Sequence, residues 1–235
     1  LEGEDGFTAR AERVLDVDLE AFALRAEGDV EFRSARLGRL GGDELELIAI
    51  TPVPHFFLRG SAATPAYFVS EHGQATAREV EVTGETLVAR GDVAGSARLA
   101  GERDKAGEYR FRGDELTLNY SEDELIPGER LRILRLQLKR VQNPVSLTAT
   151  TGGQTVVLAS DSVASEYRER RVEGLPDAEL GSLLIAEGAV HADVVTGEGE
   201  FTLDCARVEL ARGPGTGAQG FRQLVADGEV RFQGL

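Results

Sequence analysis

The 235-residue chain contains no methionine, no tryptophan and a single cysteine, Cys205. One cysteine excludes an internal disulfide and leaves the redox compartment of the protein open. In the segment FTLDCARVEL, Cys205 falls in phase with Phe201 and Leu203 on one face of an apparent strand. We therefore expect a buried structural thiol. Because methionine is missing even at position 1, we also expect a mature or excised segment of a longer product.

Residues suited to catalysis or metal binding are sparse. The histidines do not have the spacing of a metal site; they are His55, His72 and His191. Acidic pairs such as Asp43-Glu44 fall at outward strand positions or in turns, where solvated carboxylates are expected. The glycine-rich segment at 212–220 lacks the Lys-Ser/Thr ending of a phosphate loop. We expect no catalytic residue, no metal, no cofactor and no enzymatic activity.

Positive charge is in deficit. Lysine and arginine number 26 against 41 acidic residues, which gives a net charge of −15. Binding to nucleic acid phosphates needs clustered basic residues, so nucleic acid is excluded as the expected partner. The chain also lacks any run of about 18 apolar residues, the length that a membrane-crossing helix requires.

Alternation of apolar and polar residues is the dominant pattern. From Phe22 to Arg33, small or apolar residues occupy every second position and charged residues fill the places between them. A period of two indicates β-strands, and the same alternation recurs at 109–120, 134–139, 201–210 and 224–232. The segment 164–188 is rich in helix formers, but Gly174, Pro176 and Gly181 interrupt it, so strand is the preferred prediction there.

Two short phrases alternate along the chain. One reads small-x-x-Val and occurs at residues 11–14, 77–80, 160–163 and 205–208; the other reads Leu-x-Ala-x-Gly-x-Val, or nearly so, and centres on Gly28, Gly91, Gly188 and Gly228. Repetition at equivalent places favours architecture over chemistry for these glycines. A turn or bulge is the preferred interpretation, and close approach of a ligand to the backbone is the alternative. The pattern predicts an all-β repeat whose units complete one another's cores.

One basic stretch stands out at 129–140. In a strand, Arg135 and Lys139 share one face, and Leu134, Leu136 and Leu138 share the other. The preferred interpretation is a solvated face paired with neighbouring acids. The alternative is contact with an anionic lipid headgroup beside an apolar surface.

The order of the two phrases resembles the repeat signature of the OstA-like (LptA-type) family of periplasmic lipopolysaccharide-transport proteins. The similarity is clearest over residues 7–125, and a weaker second pass covers 156–235. The resemblance implies a twisted β-jellyroll (β-taco) of short antiparallel strands, with two facing sheets and an apolar groove for acyl chains. It implies one unit at 1–125 and a more divergent one at 126–235, or else one long jellyroll.

The same resemblance implies a function. The protein would be a lipid-binding bridge module that carries lipopolysaccharide, or a similar multi-acyl envelope lipid, towards the outer membrane. It would lie in the periplasm, where a segment outside this sequence could anchor it. Its partners would be the lipid, other jellyroll proteins joined through edge strands, and further copies of itself joined head to tail.

Inward-phase residues of the repeats are the predicted groove lining. Small ones such as Ala26 would leave width for a lipid tail. The full set is Phe22, Leu24, Ala26, Val30, Phe32, Val80, Val82, Leu87, Val93, Phe111, Leu116, Leu118, Leu134, Leu136, Phe201, Leu203, Val230 and Phe232, with Arg135 and Lys139 as headgroup contacts.

Two other classes of function compete with lipid transport. A structural β-repeat, such as a scaffold or filament subunit, would have a filled core and carry no lipid. An enzyme on a β-helix scaffold, such as a polysaccharide lyase, would need basic and acidic residues that converge in space, and the sequence does not indicate such a cluster.

Overall fold

The structure, a computed structural model, describes residues 7–18, 20, 23–34, 38–48, 55–70, 73–99, 107–121, 132–151, 153–170, 179–212 and 221–234. All regular secondary structure in these residues is β-strand, and every strand pair with an assigned register is antiparallel. The all-β prediction is confirmed. In the segment 164–188, the described residues are strand. The described part of the chain contains no helix long and apolar enough to span a membrane.

The strands fall into two groups. Six run long and unbroken: β3 (Ala23–Ser34), β4 (Gly38–Ile48), β9 (Thr86–Leu99), β10 (Gly107–Ser121), β15 (Glu179–Thr196) and β16 (Gly199–Arg212). The others come as two short pieces in succession: β1 (Phe7–Arg10) with β2 (Val14–Asp18), β5 (His55–Arg59) with β6 (Ala66–Ser70), β7 (Gly73–Ala77) with β8 (Glu79–Thr83), β11 (Arg132–Lys139) with β12 (Val145–Thr151), β13 (Gln154–Ser160) with β14 (Ser162–Arg170), and β17 (Phe221–Asp227) with β18 (Arg231–Gly234).

The chain divides into two compact units. Unit 1 is Leu1–Gly95 with Glu115–Ile133, and unit 2 is Ser96–Asp114 with Leu134–Leu235, so the division passes through β9 and β10. The predicted boundary between residues 125 and 126 lies outside the described residues and stays a prediction.

In unit 1, strands pair with their successors along the chain. Both β1 and β2 pair with β3, one with each end of it, and β3 pairs with β4. The two ends of β4 pair separately with β5 and β6. Then β5 pairs with β8, β6 with β7, and β8 with β9. The long strands β3 and β4 are thus divided into two halves that pair with different short strands.

Unit 2 repeats this scheme. The pairs β11–β14 and β12–β13 form two ladders, which β15 joins by pairing with both β13 and β14. β16 pairs along the length of β15, and its two ends pair with β17 and β18. The repetition seen in the sequence is therefore a repetition of pairing.

Burial follows the period of two. Along β3, Leu24, Ala26, Val30 and Phe32 are at most 4% exposed, whereas Arg25 and the other outward residues are exposed or half-buried. Inward residues that lie opposite one another on paired strands form rows across the sheet. One row begins at Leu24 and continues on the neighbouring strands through Leu47, Phe56, Val82 and Leu87. Such rows remove a continuous apolar face from water.

The two halves of the strands in unit 1 share this core. Phe32 lies on the half of β3 that pairs with β1, whereas Phe56 lies on β5, which pairs with the other half of β4. Their rings meet edge to face with centroids 4.9 Å apart, although their strands do not pair. Inward side chains of both halves therefore pack against each other.

Candidate functional site

The glycine of the repeated phrase forms a β-bulge. In β3, Gly28 and Asp29 together lie opposite one residue of β4, because the register runs from Glu27↔Glu44 to Val30↔Gly42. Both bulge residues have left-handed backbone, with φ of 77° and 42°. Gly91-Asp92 in β9 and Gly188-Ala189 in β15 repeat this conformation, and the latter pair has the same shift in register. A two-against-one bulge bends a strand.

The small-x-x-Val phrase forms a corner that bonds to the bulge. The backbone N–H of Arg78 donates to the carbonyls of Arg90 and Gly91, at 3.0 and 2.9 Å. In unit 2, the N–H of Asp161 donates to Glu187 and Gly188 at 3.1 and 2.9 Å. Near the start of the chain, Glu12 and Arg13 donate to Gly28 and Glu27. The two phrases are thus the hydrogen-bonded parts of a single structural element.

The last repeat is arranged differently, because its small-x-x-Val phrase lies within the long strand β16. Gly228 (φ 94°) lies between β17 and β18, and a Cβ on it would approach the Cβ of Ala206 to 2.6 Å. Ala206 belongs to the phrase at 205–208. The interpretation of the glycines as bulges or turns therefore describes all four copies.

Thirteen of the predicted lining residues are buried, with exposures between 0 and 8%. They are Leu24, Ala26, Val30, Phe32, Val80, Val82, Leu87, Val93, Phe111, Leu116, Leu118, Leu136 and Leu203. Phe22 lies outside the described residues, as does the side chain of Leu134, and Phe201 is half-buried. The thirteen buried residues lie at inward positions of their strands. That they line a lipid site stays a prediction.

Val230 and Phe232 differ from this group because they are 47% and 65% exposed. Both follow Gly228, and β18 pairs with β16 through the register Leu203↔Phe232. The ring of Phe232 lies 5.1 Å from that of Phe201. Inward phase does not bury these residues, although β18 pairs with β16.

The small inward residues are buried together with large ones. Ala26 and Ala89 are 0% exposed, and register places them in one row with Leu45, Leu58 and Val80, which are at most 1% exposed. Whether the alanines give width to a lipid site stays a prediction. Sequence reasoning missed Leu45 and Leu58 as lining positions, although the alternation in DELEL and HFFLR marks them.

Arg135 and Lys139 lie on the outward face of β11 and are exposed, while Leu136 and Leu138 between and beside them are buried. Register places Glu166 opposite Arg135 and Ser162 opposite Lys139. The neighbouring Arg140 pairs with Asp161 at 2.8 Å. The strand arrangement is as predicted, and a role in headgroup contact stays a prediction.

Ion pairs cover much of the outer face of unit 1. Arg59 lies 3.7 Å from both Glu44 and Glu79, and its guanidinium stands 4.9 Å from the ring centroid of Phe57. Arg90 pairs with Glu81 at 3.0 Å. The hydrogen bond from Arg90 lowers the pKa of Glu81, helped by His55 and opposed by burial. These arginines are occupied by acids of their own chain.

His191 and the cysteine have structural surroundings. The Nδ1 of His191 lies 2.7 Å from Asp204 and its Nε2 lies 3.5 Å from Asp193. The bond to Asp204 raises the pKa of His191. Burial raises the pKa of the Cys205 thiol, which is 8% exposed as the phase predicted. Among the described residues, no group of three His, Cys, Asp or Glu side chains could hold a metal ion.

Asp114 holds a turn. Its Oδ2 accepts the backbone N–H groups of Val141, Gln142 and Asn143 at 2.6 to 2.8 Å, and its Oδ1 accepts the Asn143 amide. These bonds hold the pKa of Asp114 far below its usual range. The carboxylate of the Arg-Gly-Asp sequence at 112–114 is therefore engaged by its own chain.

No protein-family model and no curated protein sequence matches this chain.

Proposed function

We propose that the chain is a lipid-binding bridge module of the cell envelope, built as a twisted β-jellyroll of two facing half-sheets. It would carry lipopolysaccharide, or a similar multi-acyl lipid, through the periplasm towards the outer membrane. The observation that supports this most is the continuity of the inward apolar rows. In unit 2 one such row runs through Phe111, Leu147, Leu158, Ala192 and Leu203.

Rows of this kind suit alkyl chains. An acyl chain needs a long uninterrupted apolar surface and no specific polar contact, and each buried methylene contributes roughly 0.8 kcal/mol. Several chains on one lipid add their contributions. The headgroup would stay in water, where Arg135 and Lys139 supply exposed positive charge beside the apolar strand face.

The burial of the lining sets a condition on binding. Residues at 0 to 8% exposure have no free surface to offer, so an acyl chain must separate the two half-sheets before it can lie between them. The long strands would bend at the left-handed glycines Gly28, Gly91 and Gly188, and at the first and third of these the ladder shifts in register. Entry would therefore involve an opening movement, and lipid would replace contacts such as that between Phe32 and Phe56.

Site-specific photo-crosslinking tests the proposal. A photoreactive residue at Leu24, on the inward phase of β3, should capture lipid in cells that make lipopolysaccharide. The same residue at Glu31, on the outward phase of the same strand, should capture much less. Equal labelling at the two positions contradicts a site between the half-sheets.

A structural β-repeat remains the second candidate because one observation favours it. The inward residues bury one another, as a filled core requires. A scaffold of this kind would show no lipid adduct at Leu24, although the protein is folded and the same probe reacts with neighbouring side chains.

A further inference from the structure

An uncharged face lies on the outside of unit 2. From Val141 to Ser160, twenty consecutive residues carry no charge, in a chain of which 29% is charged. They include β12 and β13, which pair along their full length. The outward positions of these strands are small polar or β-branched: Ser146, Thr148, Thr150, Thr155, Val157 and Ala159. Val157 is 38% exposed, while its inward neighbours Val156 and Leu158 are at most 2% exposed.

Charges of opposite sign border this face on its two sides. β10 pairs with β12 and places Arg110 and Arg112 outward, with Arg110 opposite Thr148. β15 pairs with β13 and places Asp193 outward, opposite Val157. One row of outward residues therefore crosses the four strands and consists of Arg110, Thr148, Val157 and Asp193. Arg110 is 74% exposed and Asp193 is 48% exposed, so both can reach beyond the face.

We propose that this outer face, formed by β10, β12, β13 and β15, binds a second copy of the chain. The two-fold axis would run parallel to the strands, between β12 and β13. It places β12 of each copy over β13 of the other copy. Thr148 of one copy then meets Val157 of the second copy, and Arg110 meets Asp193 of the second copy. The face is self-complementary in charge under this rotation, as an isologous interface must be.

The remaining charges are compatible with this arrangement. Arg110 also contacts Glu108 at 3.0 Å, but a guanidinium has five N–H donors and can serve two carboxylates. Arg112 would face the His191–Asp204 pair, whose carboxylate offsets the imidazole. Two chains with a net charge of −15 repel each other over most of their surfaces. The uncharged face is where that repulsion is smallest.

The size of the face sets the strength expected. Four strands about 4.8 Å apart and five residues of about 3.4 Å each give roughly 19 by 17 Å. Such an area is smaller than that of standard specific interfaces and suits a weak, transient association, so the dimer should dissociate on dilution. This mode differs from end-to-end joining because it uses side chains of the outer face and leaves the strand edges unpaired.

Sedimentation velocity over about a hundredfold range of protein concentration tests the inference. The unaltered chain should shift from monomer to dimer as concentration rises. Val157→Lys should lose the dimer, since it buries an unpaired charge at the centre of the face. Val88→Lys is the matched control, because it adds the same charge on the outer face of unit 1 and should leave the dimer intact. A chain that is monomeric throughout, or a Val157→Lys variant that associates like the unaltered chain, overturns the proposal.

A charge exchange tests the two-fold itself. Arg110→Asp and Asp193→Arg should each weaken the dimer about tenfold or more, because like charges then face each other across the interface. The double variant should recover most of the loss, since the pair is restored with its signs reversed. If the double variant associates no better than the single ones, the stated pairing of Arg110 with Asp193 is wrong.

Discussion

At the scale of residues, the left-handed glycines decide where the long strands bend. A side chain at φ near +77° is strained by itself, and at Gly188 a Cβ would also lie 2.4 Å from Oδ2 and 2.9 Å from Cβ of Asp161. This crowding follows from the hydrogen bond that brings the corner onto the bulge. Sequence repetition indicates that the glycine is needed, but the reason becomes visible only with the corner residue beside it.

Gly188→Ala should therefore be more costly than an alanine at another left-handed glycine. Gly153→Ala is the matched control, since its φ is 78° and nothing lies within 4 Å of the new Cβ. We expect Gly153→Ala to lower the free energy of unfolding by about 1 kcal/mol, and Gly188→Ala by about 2–4 kcal/mol because crowding adds to the backbone strain. Urea denaturation measures both. Equal losses would show that the contact with Asp161 does not constrain the bulge.

Asp114 is the second residue whose role depends on a distant partner. Asp114→Ala should destabilise the protein, because three backbone N–H groups of the turn at 141–143 lose their acceptor. Asp43 occupies the same place in the related Gly-Asp-Glu-Leu segment of unit 1. Asp43→Ala is the control and should have the smaller effect on the midpoint of urea unfolding. The Asp43 side chain makes no hydrogen bond to another residue within the part of the chain that the structure describes. A larger effect at Asp43 contradicts this assignment.

The pKa of Asp114 also fixes the direction of its pH dependence. Its folded-state pKa is depressed, so its contribution to stability is present above the unfolded pKa of about 3.8 and is lost as pH falls through the folded value. The stability difference between the unaltered chain and Asp114→Ala should accordingly shrink in strong acid.

At the scale of elements, alternation predicts the strands but does not predict which strands pair. The period of two identified β3, β10, β11 and β16 and assigned their inward phases, because side-chain direction is a local property of a strand. Pairing of the corner phrase with the bulge phrase is not local. Nor is the contact of Phe32 with Phe56, since both depend on register between segments distant in sequence.

His191 links β15 to β16, and its effect depends on pH. The bond to Asp204 raises its pKa in the folded state, so the stabilisation is fully present below the unfolded value of about 6.5. It is lost as pH rises through the folded value. An NMR titration should therefore place the midpoint of His191 above 6.5, and Asp204→Asn should lower it. An unchanged midpoint in that variant means that Asp204 does not hold the imidazolium.

At the scale of the whole molecule, the sequence predicted an all-β repeat, and the structure has one. Both units consist of long strands and two-piece strands, and they share one pairing scheme. Apolar rows lie inside each unit, and polar side chains lie outside. These rows are the basis of the proposed lipid site. They are also what a scaffold with a filled core would possess, so burial alone does not separate the two functions.

The most direct measurement is the lipid content of the protein itself. The chain is purified without detergent from cells that make lipopolysaccharide, and both native mass spectrometry and mass spectrometry of its organic extract are recorded. A lipid carrier predicts a multi-acyl lipid bound in a defined ratio, and binding to the folded state should raise the unfolding temperature relative to delipidated protein. Folded protein that contains no lipid, and that takes up none when mixed with lipopolysaccharide, would contradict lipid transport.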